Sequence, residues 1–293
     1  DHRSLSDFRL PFAETLQVGG VPGRPGASGF DLIREDSPIV GQQEIDFKTP
    51  LIAEEIEIGL IPGVQSCLHR FNNNHVLEEI AEQRIATDHI GGFDTVINHP
   101  NIFVKKAYLK PYNEQNICRF ERVRWDNTEV YNQMLDAIKK NNVELVEEFD
   151  EIKTVLGDFN IEFFNGKNRE RKIKFGENVN SVGTLVTIGK SRAFLAGDIN
   201  YKAGDEKRIA DKIGNVDLLK VGHHGYLYST SFYWVKKLMP KIAIFCNEMK
   251  GVYPDVKYKL KNISHSKLYA TMNSNGIMAC FDGENIVVKE NIM

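Results

Sequence analysis

The sequence predicts an α/β protein whose strands end in a metal-type constellation. Three observations lead there. From about residue 100 onward, short apolar runs rich in β-branched and aromatic residues alternate with segments of helical period. Acidic and histidine side chains recur beside turns or at the ends of those runs, as Asp88-His89, Asp198 and His223-His224. Glycines bound each group: Gly91-Gly92, Gly197, and Gly222 with Gly225.

Taken in order, residues 1–63 are dense in Gly and Pro, above all from Val18 to Gly26, and are expected to be irregular. Val64, Cys67, Leu68, Phe71, Val76, Leu77 and Ile80 recur at three- and four-residue steps, so Val64 to Gln83 is expected to be a helix. Asn101 to Leu109 reads as a strand, and Asn127 to Asn141 as a helix with Val130, Met134, Leu135 and Ile138 on one face. Glu144 to Phe149 and Phe159 to Phe164 read as strands. Gly183 to Ile188 and Ala193 to Ala196 form a hairpin across Gly189-Lys190. Glu206 to Ile213 is a short helix, and Val216 to Val221 a buried strand running into the histidine pair. Ser231 to Met239 is a helix stopped by Pro240, followed by strands at Lys241 to Cys246 and Gly276 to Phe281.

Composition narrows the function classes. A chain of 293 residues with 42% hydrophobic residues suits one large or two ordinary globular domains. No apolar run approaches the roughly 18 residues of a membrane span. A net charge of −3 gives no bulk attraction for nucleic acid, although nucleic acid stays open as a partner. The basic groups Lys105, Lys106 and Lys110, and Lys167 to Lys174, read as solvated surface charge. Cys67, Cys118, Cys246 and Cys280 are far apart, with no Cys-x-x-Cys; Cys246 and Cys280 follow apolar runs and read as buried thiols. A reducing, cytoplasmic compartment is expected.

Divalent zinc or manganese needs imidazole nitrogens and carboxylate oxygens converging from separate elements. Asp88, His89, Asp198 and the His223-His224 pair supply that chemistry from three places. All three lie at the ends of elements, where α/β sites are usually built. His2, His69, His75, His99 and His265 have no such setting and read as ordinary histidines.

These residues carry a family resemblance. Thr87-Asp88-His89-Ile90-Gly91-Gly92, Ala107 to Tyr112, Asn180-Ser181-Val182, Phe194 to Asp198, Val216 to Gly225 and Tyr269-Ala270-Thr271 together resemble the metallo-beta-lactamase superfamily. Within it they are most similar to phosphorylcholine esterases and to the hydrolase domain of bacterial DNA-uptake channel proteins. The resemblance covers residues 87–293 and implies an αββα sandwich that hydrolyses a phosphodiester or another small-molecule electrophile with a metal-activated water. It implies that Asp88, His89, Asp198 and His224 hold one ion, zinc or manganese. It gives Asp88 and His223 catalytic parts, His223 contacting substrate phosphate, or the two histidines exchanging roles. Asn180-Ser181 stands where other branches place a further ligand histidine.

The departures are as informative. The family opens with strands carrying Asp-x-Gly and then His-x-His ahead of Asp-His; here Arg84 and Ala86 occupy the two histidine positions. Residues 1–86 are therefore expected to be a separate irregular segment plus helix, joined at a fusion, truncation or gene-model seam to an N-terminally incomplete domain. The expected activity is a metal-dependent hydrolase weakened by loss of one ligand pair, or else a binding or remnant protein without turnover. His69-Arg70-Phe71-Asn72 through His75-Val76 faintly resembles a helix of haem-dependent fatty-acid dioxygenases. That makes a haem-dependent fragment a third, weaker reading of the N-terminus.

Overall fold

A computed structural model describes residues 75–81, 90, 92–123, 126–171 and 174–291, together with 30–34. Its strands are β1 (Phe30–Arg34), β2 (His75–Ala81), β3 (Ile102–Tyr108), β4 (Glu144–Val146), β5 (Lys153–Leu156), β6 (Phe159–Phe164) and β7 (Gly183–Ile188). They continue with β8 (Ser191–Leu195), β9 (Leu218–Lys220), β10 (Ile242–Phe245), β11 (Lys267–Ala270), β12 (Ile277–Phe281) and β13 (Ile286–Glu290). The helices are α1 (Phe93–Ile97), α2 (Arg119–Arg122), α3 (Asn127–Lys140), α4 (Asp205–Ile213), α5 (Phe232–Leu238) and α6 (Pro254–Asn262).

The large sheet has the order β11-β10-β9-β8-β7-β6-β5. Strands β5 to β8 pair antiparallel, with short turns between β5 and β6 and between β7 and β8, the latter at Gly189, whose φ of 54° suits glycine, and a long connection, 165–182, between β6 and β7. From β8 to β11 the pairing is parallel, with α4, α5 and α6 as the crossovers. The sheet thus changes from antiparallel to parallel at β8. The loop after β8 carries Asp198, and the loop after β9 carries the histidine pair.

Alternation along the strands divides the core in two. Ala193, Leu195, Leu218 and Ile244 face β3, β12 and α3, packing with Val104, Tyr108, Met134, Ile138, Ile277 and Phe281. Phe194, Leu219, Ala243 and Phe245 face the crossover helices, packing with Ile209, Trp234, Val235 and Leu260. Two smaller sheets, β2-β3-β4 and β1-β12-β13, accompany the large one. The result is the expected αββα arrangement of a mixed α/β protein. Among the described residues no helix is long and apolar enough to cross a membrane.

Several expectations need correction. Residues 75–81 are not helical; they form β2, parallel to β3 with Val76 opposite Phe103 and Ile80 opposite Ala107. A four-residue spacing such as Val76 to Ile80 falls on one face of either a helix or a strand, so the pattern alone does not choose. Pairing decides, because β3 would otherwise offer an open edge on that side. Phe30–Arg34, in the stretch expected to be irregular, pairs parallel with β12. The remainder of residues 1–74 lies outside the described residues. Both early strands precede residue 87 and pair with strands that follow it. Lys110 is not surface charge: it is 2% exposed. Cys280 is buried as expected, whereas Cys246 is only partly so.

Candidate metal centre

The loop after β8 and the loop after β9 are fastened together by the backbone. Gly222 packs so closely on the first loop that a Cβ there would lie 2.4 Å from the carbonyl oxygen of Ile199. The His223 N–H donates to the Gly197 carbonyl at 3.2 Å. His223, His224 and Gly225 then take three successive left-handed conformations, with φ of 48°, 52° and 77°. Non-glycine residues rarely do so, at a cost of about 1–3 kcal/mol each. The glycine is required at the third: a Cβ on Gly225 would meet Phe245 at 2.8 Å and Val252 at 2.9 Å.

This turn aims the imidazoles. His224 Nδ1 lies 3.1 Å from the Cys246 carbonyl and His223 Nδ1 lies 3.0 Å from the Leu227 carbonyl. A carbonyl only accepts, so each Nδ1 carries the proton and the neutral ring keeps its lone pair on Nε2. An orienting bond of this kind is what metal-ligating histidines make. His224 Nε2 stands 3.5 Å from Asp198 Oδ1, and the Asp198 side chain is fully buried. That separation is long for a hydrogen bond. It matches the roughly 3.3–3.6 Å between two donors on one tetrahedral ion held at about 2.0–2.2 Å. The donor set, one carboxylate oxygen and one neutral imidazole nitrogen, fits zinc or manganese.

Of the five candidate residues, the structure brings Asp198 and His224 together and places His223 on the same turn. Asp88 and His89 lie outside the described residues. Among the described residues no three His, Cys, Asp or Glu side chains form a metal-type cluster. Cys246 takes part through its carbonyl; burial pushes its thiol up, so the sulfur stays protonated at neutral pH.

Beneath this pair the sequence hid a buried polar frame. Lys220, in the apolar strand β9, is fully buried and donates from Nζ to the Gly197 carbonyl at 2.8 Å. The one sign in the sequence was a lysine inside Leu218-Leu219-Lys220-Val221. Ser181 Oγ accepts the Asp198 N–H at 3.1 Å, and the Ser181 carbonyl accepts from Asn165 Nδ2 at 2.7 Å. Lys110 Nζ donates to the Val179 carbonyl at 3.0 Å, and burial pushes its ammonium down to about 7. Glu177 accepts from Tyr112 Oη and Asn180 Nδ2, both at 3.1 Å, with its carboxyl pushed up to about 7 by burial. These groups brace the turn that leads into Ser181.

The outer rim was also missed. Tyr226 stacks edge-on to the His223 ring at 5.8 Å, and Tyr201 packs against Tyr228 at 6.0 Å with Lys202 Nζ 4.8 Å from the Tyr228 ring. Glu206, buried in α4, holds that rim by accepting the Thr230 and Ser231 N–H groups at 2.6 and 2.7 Å. Burial pushes its carboxyl up to about 7.

No protein-family model matches the chain. Recombination protein 2 of Haemophilus influenzae is 27% identical over 172 residues, covering 58% of this chain and 17% of that protein. The chain thus spans about a sixth of that relative's length. Among solved structures, CmlA, a diiron beta-hydroxylase from Streptomyces venezuelae, is 11% identical over 68% of this chain and 44% of its own, with a TM-score of 0.42. YhfI, a metallo-beta-lactamase fold protein from Bacillus subtilis, is 11% identical over 73% of this chain and 95% of its own, at 0.39. Igni18, a metallo hydrolase from Ignicoccus hospitalis, is 14% identical over 74% of this chain and 81% of its own, also at 0.39. At such scores the fold assignment stands on the chain's own strand order and register.

Proposed function

We propose that this chain is a metal-dependent hydrolase of phosphodiester type, working from one ion. The observation that carries the reading is the approach of His224 Nε2 to Asp198 Oδ1 at 3.5 Å, at the ends of adjacent parallel strands. Asp88 and His89 would complete the ligand set, as the sequence motif suggests. A zinc or manganese ion held there would supply a Lewis acid and lower the pKa of a water molecule.

The chain's own groups do the rest. His224 is oriented by the Cys246 carbonyl and the Asp198 backbone is held by Ser181 Oγ, so little reorganisation is needed. His223, its Nδ1 tied to Leu227, presents Nε2 from the same turn, and in the imidazolium form that nitrogen would donate to a substrate phosphate oxygen. Tyr226, packed against the histidine rings, and Tyr228, with Lys202 over its ring, are both exposed at the rim. A phosphodiester carrying flat groups suits that rim, and the partial likeness to Recombination protein 2 adds support for a nucleic-acid phosphodiester. Arg84 and Ala86 cannot supply imidazoles for a second ion, so turnover is expected to be slow.

Metal analysis combined with hydrolysis of bis(p-nitrophenyl) phosphate tests the reading, with Asp198→Ala as the control. The expected result is about one ion per chain and slow turnover that the substitution abolishes. Absence of metal binding would refute the hydrolase reading and favour a protein that binds without turnover. Two tightly held ions with brisk, Asp198-dependent hydrolysis would show that another residue replaces the missing histidines.

A further inference from the structure

We propose that Lys220 and Ser181 are positioning residues of this centre, clamping the peptide between Gly197 and Asp198 from its two sides. The inference rests on the reading of Asp198 and His224 as metal ligands.

The geometry is specific. The carbonyl of Gly197 and the N–H of Asp198 belong to one peptide group, which is planar and rigid. Lys220 Nζ grips the carbonyl at 2.8 Å, and Ser181 Oγ takes the N–H at 3.1 Å. Both side chains are fully buried. With both polar groups of the plane fixed, the N–Cα bond of Asp198, the axis from which its side chain departs, is fixed as well.

Stability alone does not account for Lys220. It sits between Leu195 of β8 and Ile244 of β10, in a strand whose other residues are apolar. Taking an ammonium out of water costs several kcal/mol. The Gly197 carbonyl would not be orphaned without it, because the His223 N–H also reaches that oxygen at 3.2 Å. A leucine or methionine would fill the same space without burying a charge. A group that costs stability and whose partner is satisfied elsewhere is explained by what it orients.

Two effects of Lys220 on a bound cation have opposite signs, which makes the idea testable. Through space, the ammonium repels a divalent ion, so its removal should tighten binding. Through the clamped peptide it orients a ligand, so its removal should weaken binding. Loss of an outer partner of a metal ligand typically lowers affinity about 10–100-fold.

The test uses the full chain with Lys220→Met, which keeps the stem's shape, and Ser181→Ala, which changes no charge. Zinc affinity is measured by calorimetry, the ligand field by the visible spectrum of the cobalt(II)-loaded protein, and stability by thermal melting. Lys220→Met is expected to melt at or above the parent temperature, to bind zinc about 10–100-fold more weakly and to show an altered cobalt band. Ser181→Ala is expected to weaken zinc binding and alter the cobalt band in the same direction. Unchanged or tighter zinc binding by Lys220→Met overturns the clamp, as does Ser181→Ala with parental affinity and spectrum. If Lys220→Met does not fold, Ser181→Ala decides alone. A parent chain that binds no zinc, or an Asp198→Ala chain that binds it equally well, removes the centre itself and not merely the clamp.

Discussion

Replacing Gly222 by alanine should separate the two loops that build the centre. The new Cβ would lie 2.4 Å from the Ile199 carbonyl oxygen where ordinary contact begins at 3.4 Å, so about 1 Å must be opened. The obstacle is backbone, and no side chain can swing away to relieve it. Overpacking of this kind costs about 1–3 kcal/mol. For a chain of this size each kcal/mol lowers the melting temperature by roughly 2–4 °C, which places the expected fall at about 2–12 °C. The shift also acts on function, because Gly222 precedes the histidines and Ile199 follows Asp198. A misplacement of about 1 Å in a catalytic group costs on the order of 10²-fold in rate. Calorimetric melting and zinc titration on Gly222→Ala read the two consequences separately. Parental melting and parental zinc affinity together would show that the loops are not held in register by this contact, and the account of how Asp198 meets His224 would fail.

Two further outcomes follow from the same geometry. Asparagine tolerates left-handed backbone, so His223→Asn and His224→Asn should both fold; the His224 change should lose the ion, while the His223 change should keep it and lower turnover, and loss of metal in both would show that the two rings share the ligand role. Glu177, pushed up to about 7 by burial, binds a proton in the folded chain that the unfolded chain has already released above its ordinary value of 4.5. Its contribution is therefore intact below pH 4.5 and is lost as pH rises through 7. Relative to the parent, Glu177→Gln should gain about 2–3 kcal/mol in urea unfolding between pH 4.5 and pH 8. Lys110, pushed down to about 7 from 10.5, acts with the opposite sign and from about pH 7 upward, and it is common to both chains. A pH-independent difference between the two chains would remove Glu177 as the source.

Legibility from the sequence followed the physics of each element. Strands β7, β8 and β10 were readable because apolar runs buried on both faces need no periodicity to stand out. Helix α3 was readable from its stripe: Met134 and Ile138 are buried as read, Tyr131 and Ala137 join them, and Val130 and Leu135 are only partly buried. Strand β2 was not readable, because its spacing fits two periods and only the edge of β3 selects one. Asp198 and His224 were found from type and placement. Lys220, Ser181 and Glu206 were not, because their roles lie in the distances between elements far apart in the chain, such as Lys220 Nζ to the Gly197 carbonyl.

The strain at the histidine turn bears on when the centre takes its shape. His223 and His224 both hold left-handed backbone, which is unfavourable unless the surroundings over-determine it. Here they do so from every side. Tyr226 N–H donates to the His223 carbonyl at 2.7 Å, Asn247 Nδ2 to the His224 carbonyl at 3.1 Å, and Tyr253 N–H to the Gly225 carbonyl at 3.0 Å. None of these bonds involves a ligand. At about 1 kcal/mol each, together with the two ring bonds from Nδ1, they are of the size needed to offset the backbone cost. The turn is thus paid for by the fold, not by whatever binds there, and the orientation of both imidazoles precedes binding. A group that arrives at Asp198 and His224 meets ligands already aimed, so its affinity is not spent on ordering the loop.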